Sequence, residues 1–196
     1  MTEDRREITY REINDGRIEI CRDLCNALMA HQADCGRIHP EALRAMNFDN
    51  RLKPSFEKAA EKQVVVAMDG ELPVGYIFST AAMETEASKS ARPDWAKGLS
   101  GADGSGFYPD SLPMPQKIGC LHNLYVLPEY RGRHIAYTLC GKAMAWFRNT
   151  ADTQTVFVYI SNGNDGVISL YRNLGFRFSH EVFGGFILAY SLNIRD

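Results

Sequence analysis

The sequence predicts a single α/β domain whose central sheet mixes antiparallel and parallel strands and is flanked by helices. Two β-rich runs, residues 64–68 and 73–80, are joined by an Asp-Gly pair, which is a strong hairpin signal. Further on, apolar runs at 118–126 and 155–161 are separated by a helical pattern, and this order requires a parallel strand pair with a crossover. A chain of 196 residues is long enough for one well-buried domain.

The remaining elements follow from periodicity. Residues 7–13 alternate polar and apolar side chains and predict a strand. Apolar residues recur at helical spacing over 18–28, and a second helical segment is expected after Pro40, interrupted near 47–54 by residues that disfavour helix. The last elements are a helix over 136–149, a short helix ending at the natural cap Gly175, and a closing strand in GGFILAYSL.

Residues 83–117 differ in character from the rest of the chain. They are rich in Gly, Pro and Ser and show no sustained period. Long loops of this kind in compact domains are often lids or binding loops. We therefore expect an insertion or lid within one domain spanning 1–196, with Trp95, Phe107 and Tyr108 folding back onto the body.

Composition excludes several classes of function. The net charge of −2 without blocks of like charge gives no nucleic-acid footprint, and no apolar run is long enough to span a bilayer. The N-terminal residues lack the apolar core of a signal peptide. Five cysteines without a CxxC pair indicate a reduced, cytoplasmic setting, and the histidines lack metal-ligand spacing. We expect no nucleic-acid, membrane or metal partner, and a homodimer is left open.

The stretch VLPEYRGRHIA, residues 126–136, joins a strand to a helix. A helix that begins directly after a strand presents unpaired N–H groups and a partial positive charge, which favour a phosphate. Gly132 permits close approach of the backbone, and Arg131 and Arg133 supply charged donors. Taken alone, the stretch is equally well explained as a solvated turn.

A second motif, NDGVISLYRNLGF, begins at Asn164, about thirty residues downstream. Together the two motifs resemble the GNAT N-acetyltransferase family, and the resemblance covers residues 118–178. The first family motif is met by Val126, Pro128, Tyr130, Arg131 and Ala136. The second is met by Asn164, Leu170, Tyr171, Gly175 and Phe176, with Val167 where alanine is usual.

The resemblance implies transfer of an acetyl group from acetyl-CoA to a primary amine in one ternary complex. In that family the strand residues contact the pantetheine arm and the acetyl carbonyl, here Leu124, Tyr125 and Val126. The pyrophosphate would lie on the residues of the following loop and helix start: Arg131, Gly132, Arg133, His134, Ile135, Ala136 and Tyr137. Asn164 would contact the cofactor arm, or would cap the helix that it opens.

Two residues are candidates for catalysis. In the family Tyr171 protonates the departing thiolate, and its alternative role is that of a half-buried structural aromatic. Strand alternation places His122 on one face with Leu124 and Val126. This window is most similar to that of the arylalkylamine acetyltransferases. A histidine titrating near 6.5 suits a general base, although a hydrogen-bonded core residue is the alternative.

His134 stands where the family motif usually has glycine. We expect the helix to have begun at this position, so that the histidine costs little and its ring donates to the phosphates.

The amine acceptor is not named by the sequence. The resemblance implies that the first two helices and loops facing the cofactor, here residues 34–50 and 83–117, line its site. Small amines, amino acids, antibiotics, polyamines and protein N-termini all stay open. A non-catalytic acyl-CoA binding or sensing module on the same fold is the alternative function.

Overall fold

A computed structural model describes residues 7–13, 15–89, 91, 106–149 and 153–195. Within these residues, seven strands form one sheet in the order β1-β2-β3-β4-β5-β7-β6. The strands are β1 (Thr9–Glu12), β2 (Glu61–Asp69), β3 (Leu72–Glu84), β4 (Gln116–Val126), β5 (Thr153–Ser161), β6 (Arg177–Val182) and β7 (Ile187–Asn193). The helices are α1 (Arg22–Cys35), α2 (Pro40–Arg44), α3 (Lys53–Lys58), α4 (Glu86–Lys89), α5 (Ile135–Asn149) and α6 (Ile168–Asn173).

The strand pairing confirms the predicted mixed sheet. β4 and β5 are parallel, and all other neighbouring strands are antiparallel, including the predicted β2–β3 hairpin. α5 forms the crossover between the parallel strands. β6 was not predicted, because this edge strand pairs only with β7 and leaves most of its side chains partly or fully exposed, so it lacks an apolar alternation.

The helices cover both faces of the sheet. α5 packs its apolar side on one face, where Leu139, Ala143 and Phe147 are fully buried. α1, α3 and the helical turn at Phe48–Leu52 pack on the other face, together with the buried thiols of Cys21 and Cys25. The separate apolar clusters on the two faces follow from the alternation of side chains along β2 and β3.

The predicted insertion is shorter than its sequence boundaries. β3 runs to Glu84 and β4 begins at Gln116, so strand structure includes both ends of 83–117. Phe107 and Tyr108 fold back as expected, because their rings pack edge-on at 5.2 Å from Tyr159 and 5.4 Å from Phe157. Trp95 lies outside the described residues.

β4 and β5 separate before either strand ends. Their pairing runs from Lys117 to Leu121 on β4, and beyond this point β5 continues to Ser161 paired only with β7. The strands therefore diverge at one edge of the domain. Backbone N–H and C=O groups of the last residues of β4 then face a gap instead of a neighbouring strand.

A buried asparagine fixes the end of β5 beside this gap. The Asn162 side chain accepts hydrogen bonds from the N–H groups of Arg37 (2.6 Å) and Ile38 (2.7 Å). Its amide nitrogen donates to the carbonyls of Ile38 and Phe186, each at 3.0 Å. One side chain thus joins β5, the segment after α1 and the turn before β7.

Gly163, at φ +80°, continues this junction, and a Cβ there would collide with the carbonyl oxygen of Cys35. We expect Gly163→Ala to destabilise the fold by at least about 3 kcal/mol. The alanine would have to adopt a left-handed conformation, and its Cβ would also collide with the backbone. Gly141→Ala in α5, where a Cβ meets open space, is the control and should not destabilise. Urea unfolding of both variants measures the difference. Equal stabilities would show that the junction is not close-packed.

Candidate active site

The gap between β4 and β5 contains a cavity of about 470 Å³, which we call the cleft cavity. Its walls come from α1, the end of β4, the loop after it, and the segment from β5 to α6. They are Leu28, His31, Cys35, Leu124, Tyr125, Val126, Arg131, Ala136, Gly163, Asn164, Gly166, Val167 and Leu170. Because α1 and α5 lie on opposite faces of the sheet, the cleft cavity passes through the sheet where the strands diverge.

A second cavity of about 280 Å³, the loop cavity, adjoins the first at the start of α5. Its walls are Val126, Tyr130, Arg131, Gly132, His134, Ile135, Ala136, Tyr137 and Leu170. The first intrahelical bond donates from Thr138 N–H to His134 C=O (3.0 Å). The N–H groups of residues 135–137 therefore precede the helical ladder, and such groups favour a bound anion.

These two cavities bring together most of the predicted cofactor residues. Leu124, Tyr125 and Asn164 line the cleft cavity, and Val126, Arg131 and Ala136 line both. Asn164 is at the N-cap position of the turn before α6, but its side chain makes no capping hydrogen bond, so a side-chain cap is wrong. Asn164 also lines the cleft cavity.

The loop before α5 is held by its own side chains. Arg131 donates from Nε to the carbonyl of Val126 (3.1 Å). The guanidinium of Arg133 lies 5.1 Å from the centre of the Tyr130 ring, outside the walls of both cavities. The Tyr130 hydroxyl donates to Asp69 (2.8 Å), which anchors the loop to the β2–β3 hairpin. The two arginines therefore shape the loop whether or not an anion is present.

The expected helical conformation of His134 is wrong, whereas its contact with the phosphates stays a prediction. Its φ is +60°, in the left-handed region, and α5 begins only at Ile135. Gly132, at φ +75°, is a second left-handed residue in the same loop, which explains why this turn favours glycine. The ring of His134 lies 6.2 Å from that of Tyr137 and lines the loop cavity.

We expect His134→Gly to stabilise the protein slightly, by about 0.5 kcal/mol. Relief of about 1 kcal/mol of left-handed strain exceeds the extra chain entropy of glycine. Gly132→Ala is the matched control, because a Cβ there meets no atom within 4 Å, and it should cost about 1–2 kcal/mol through backbone strain alone. Urea unfolding compares the two. A clearly destabilised His134→Gly variant would show that the ring contact outweighs the strain.

The predicted face of His122 is also wrong. The register between β3 and β4 shifts at this point, so that Asn123 pairs with Phe78 and Leu121 pairs with Ser79. His122 is the extra residue of this bulge, and its ring stacks on Phe78 at 5.1 Å on the α1 face. Leu124 and Val126 pack on the α5 side. His122 is thus separated from them by the sheet.

His122 lines a small cavity on the α1 face, of about 40 Å³. The walls of this small cavity are Met29, Gln32, Leu43, Met46, Arg51, His122, Asn123, Tyr159, Ser161, Phe186 and Ile187. His122 Nε2 and the Thr80 hydroxyl share a hydrogen bond of 2.7 Å. Burial lowers the pKa of His122 to about 3, and the positive charge of Arg51 acts in the same direction. The imidazole is therefore neutral at physiological pH and does not titrate near 6.5.

This lowered pKa makes stability sensitive to acid. Between pH 6.5 and pH 3 the unfolded chain binds a proton at His122 that the folded chain does not, so stability falls as the pH decreases through this window. We expect the wild-type protein to lose up to about 2 kcal/mol more than His122→Gln between pH 7 and pH 5. Urea unfolding at both pH values tests this. Parallel losses in the two proteins would contradict it.

Tyr171 is buried between α6 and the sheet. It is 4% exposed, and its ring packs edge-on against Phe176 at 5.8 Å. Burial raises the pKa of Tyr171 well above its usual value, and the thiols of Cys140 and Cys120 contribute further. Tyr171 is outside the walls of the cleft and loop cavities, whereas its neighbour Leu170 lines both.

Several residues of the site could not be predicted from sequence patterns. His31 and Cys35 face the cleft cavity from α1, with the Cys35 sulfur 4.0 Å from both ring nitrogens of His31. Asn162 positions the cavity wall between β5 and these two residues of α1, through hydrogen bonds to residues more than a hundred positions earlier. A hydrophobic pattern cannot reveal such contacts, because each depends on the tertiary fold.

The described residues contain neither a metal-binding cluster nor a membrane-spanning helix. Across the described ranges, no three His, Cys, Asp or Glu side chains converge on a common point where a metal ion would bind. Among the helices that the structure describes, none combines the length and the apolar character needed to cross a bilayer.

The fold is shared with solved acetyltransferase structures. NAA60 of Arabidopsis thaliana in complex with acetyl-CoA is 16% identical, with a TM-score of 0.60 over 97% of this chain and 100% of that chain. The PaiA N-acetyltransferase of Thermoplasma acidophilum in complex with coenzyme A is 13% identical, with a TM-score of 0.63 over 95% of this chain and 99% of that chain. The aminoglycoside N-acetyltransferase AAC(6')-Iy in complex with coenzyme A is 17% identical, with a TM-score of 0.56 over 90% of this chain and 91% of that chain.

The family follows from the sequence itself. No significant similarity to a curated protein sequence is found. The family model described as the acetyltransferase (GNAT) family matches residues 25–176, well over half of the chain. The match includes both motifs and the strands that diverge between them. The chain therefore belongs to the acetyltransferase (GNAT) family.

Proposed function

We propose that the protein transfers an acetyl group from acetyl-CoA to a primary amine within one ternary complex. The main support is the cleft cavity, which is lined by β4 residues beyond the last pair with β5 and which continues into the loop cavity at the start of α5. An elongated ligand with an anionic end and an apolar, amide-containing arm fits this arrangement. The pyrophosphate and pantetheine of coenzyme A have these properties.

In this proposal the pyrophosphate lies on the N–H groups of residues 135–137, with Gly132 and His134 forming the turn beneath it. The pantetheine amides pair with the backbone of residues 124–126, which faces the gap between the strands. Asn164 contacts the same arm from the opposite wall. The acetyl group then lies where β4 and β5 begin to separate.

The chemistry requires a neutral amine. Its nitrogen attacks the acetyl carbon, the carbon–sulfur bond breaks, the nitrogen loses one proton to water, and the thiolate gains one. Burial and the charge of Arg51, which lower the pKa of His122, also disfavour an ammonium ion beside it. The acceptor therefore loses its excess proton on entering the site. His122 acts as a neutral hydrogen-bond acceptor for the amine or for a bridging water.

Tyr171 is assigned as proton donor to the thiolate because of its position in the second motif, directly after Leu170, which lines both cavities. Burial keeps the phenol protonated until the thiolate forms, and water then returns a proton to the phenolate. The backbone N–H groups of β4 beside the gap stabilise the oxyanion of the tetrahedral intermediate. Most of the acceleration comes from positioning the amine against the thioester.

We further propose that residues 83–117 form part of the wall on the acceptor side. The described end of this segment supports the placement, because Tyr159, which lines the small cavity, donates a hydrogen bond of 2.7 Å to the carbonyl of Phe107. Phe107 also packs edge-on against Phe183 at 5.4 Å.

Incubation with acetyl-CoA and a panel of amines tests the activity, with the released thiol followed by a chromogenic reagent. We expect thiol release that depends on the added amine. Tight binding of acetyl-CoA in calorimetry, without thiol release for any amine, would instead support the non-catalytic binding module.

We expect Tyr171→Phe to lower turnover at least tenfold, about 1.4 kcal/mol of barrier, because the thiolate loses its proton donor. The affinity for acetyl-CoA should change little, since the ring and its packing are kept. Steady-state kinetics and calorimetry measure the two quantities. Tyr190→Phe, another buried tyrosine on the α5 face, is the control and should keep normal turnover. Full activity of the Tyr171 variant under chemistry-limited conditions would remove Tyr171 from the mechanism.

A further inference from the structure

Another cavity lies between α5 and the strands β1 and β2, at the edge of the sheet, and we call it the edge cavity. Its volume is about 350 Å³, which is within the usual range of small-molecule sites. It shares no described wall residue with the cleft, loop or small cavity. Its polar and aromatic walls are Tyr10, Glu12, Gln63, Lys142, Trp146 and Asn149.

Strand register and helical spacing bring these walls together. Glu12 lies opposite Val65, and Gln63 is two residues before Val65 on the same strand, so all three side chains are on one face of the sheet. Val65 packs in the apolar cluster of α5, which identifies this face as the α5 side. The wall residues of α5 recur every three or four positions and therefore lie on one side of the helix: Lys142, Ala145, Trp146 and Asn149.

One buried polar atom of the edge cavity has no hydrogen-bond partner among the described residues. Gln63 is 6% exposed, and its Nε2 donates to Oε1 of Glu12 (3.3 Å), whereas its own Oε1 is unpaired. Since an ionised carboxylate only accepts hydrogen bonds, the contact with Glu12 determines which end of the amide is the oxygen. Buried polar groups are nearly always hydrogen-bonded in native proteins. The Gln63 oxygen therefore requires a donor from outside the described protein groups.

The edge cavity also carries one charge of each sign. Across the described ranges, neither Glu12 nor Lys142 takes part in an ion pair, and Nζ of Lys142 lies 5.5 Å from the centre of the Tyr10 ring. Tyr10 and Glu12 are two positions apart on β1, a distance of about 7 Å. The group that binds an anion, Lys142, and the groups that accept from a cation, Glu12 and Gln63, are therefore at separate ends of the cavity.

The remaining described walls are apolar or aromatic: Val65, Ala145 and the rings of Tyr10 and Trp146. Such surfaces favour a hydrocarbon chain or a ring. A simple amine would leave Lys142 without an anion, and a simple carboxylic acid would leave Gln63 without a donor. The occupant that satisfies all of these walls combines a cationic donor, an anion and an apolar body.

We propose that the edge cavity binds a free α-amino acid with an apolar or aromatic side chain, at a site separate from that of the proposed acetyl transfer. The ammonium donates to Gln63 Oε1 and to Glu12, the carboxylate accepts from Lys142, and the side chain packs on Trp146. The two charged groups of an α-amino acid, each with a hydrogen bond of about 2.8 Å, cover the separation between the two ends of the cavity.

Tryptophan fluorescence tests the inference, because Trp146 is in the wall of the edge cavity and the chain has only one other tryptophan, Trp95. In the Trp95→Phe variant, all tryptophan emission comes from Trp146. We expect a saturable change on titration with L-phenylalanine or L-leucine near neutral pH, with a matching heat in calorimetry of the wild-type protein. The primary amide and the N-acetyl derivative of each amino acid lack one of the two charges and should bind about tenfold more weakly or worse.

Variants locate the bound amino acid. Lys142→Met should make the affinity for the amino acid equal to that for its amide. Gln63→Met keeps the approximate size of the side chain, and it should weaken binding about tenfold without lowering the midpoint of thermal unfolding, since it removes an unpaired buried oxygen. Arg148→Gln, which removes an exposed cation of the same helix outside the described walls, is the control and should keep both affinities.

Three results would overturn the inference. The first is the absence of both a saturable Trp146 signal and a binding heat with either amino acid. The second is equal affinity for the amino acid, its amide and its N-acetyl derivative. The third is unchanged binding in the Lys142→Met variant, whose exposed side chain is not needed for folding, because the amino acid would then bind elsewhere, such as in the cleft cavity. None of these measurements depends on acetyl transfer, so a failure here leaves the proposed function intact.

Discussion

The geometry of the site depends on the hydrogen bonds of one buried side chain, Asn162. After Val158 the strand β5 has no neighbour on the β4 side, so ladder bonds no longer fix its position there. Asn162 ties its end to the backbone of Arg37 and Ile38 instead. Without this side chain, the N–H groups of Arg37 and Ile38 would lose their acceptor, and a hydrogen bond of this kind contributes about 0.5–1.5 kcal/mol. The gap between the strands thus keeps a defined width although no ladder spans it.

A fixed gap has a chemical consequence, because it places ionisable groups in an environment with little water. The bulge at His122 turns this ring towards the α1 face, next to Phe78 and near the charge of Arg51. Both burial and like charge favour neutral forms of basic groups. The same environment keeps the imidazole neutral. In the proposed reaction it would also favour a neutral amine, so that a strong general base is not needed.

Local patterns predicted most of the architecture, and tertiary constraints explain what they missed. The hairpin, the parallel pair and α5 follow from turn residues and hydrophobic periods within one segment. The face of His122 did not follow from such local patterns. A bulge is set by the pairing of β4 with β3, and it reverses the alternation of side chains beyond it. The conformation of His134 was also missed, because the first residue of a helix is not fixed by composition. Asn162 gave no signal, as its partners are distant in sequence.

The unpartnered atoms of the small cavity connect folding with recognition. Oδ1 of Asn123 and Oγ of Ser161 lower the stability of the free protein, since each lacks a hydrogen-bond partner among the described groups. A ligand that donates to both recovers this free energy, and a ligand without such donors does not. Selectivity then comes from the polar groups that the fold leaves unpaired, because apolar walls alone distinguish similar ligands poorly. In this view the rigid junction at Asn162 and the unpaired atoms beside it act together, since selectivity requires that the cavity cannot collapse around the wrong ligand.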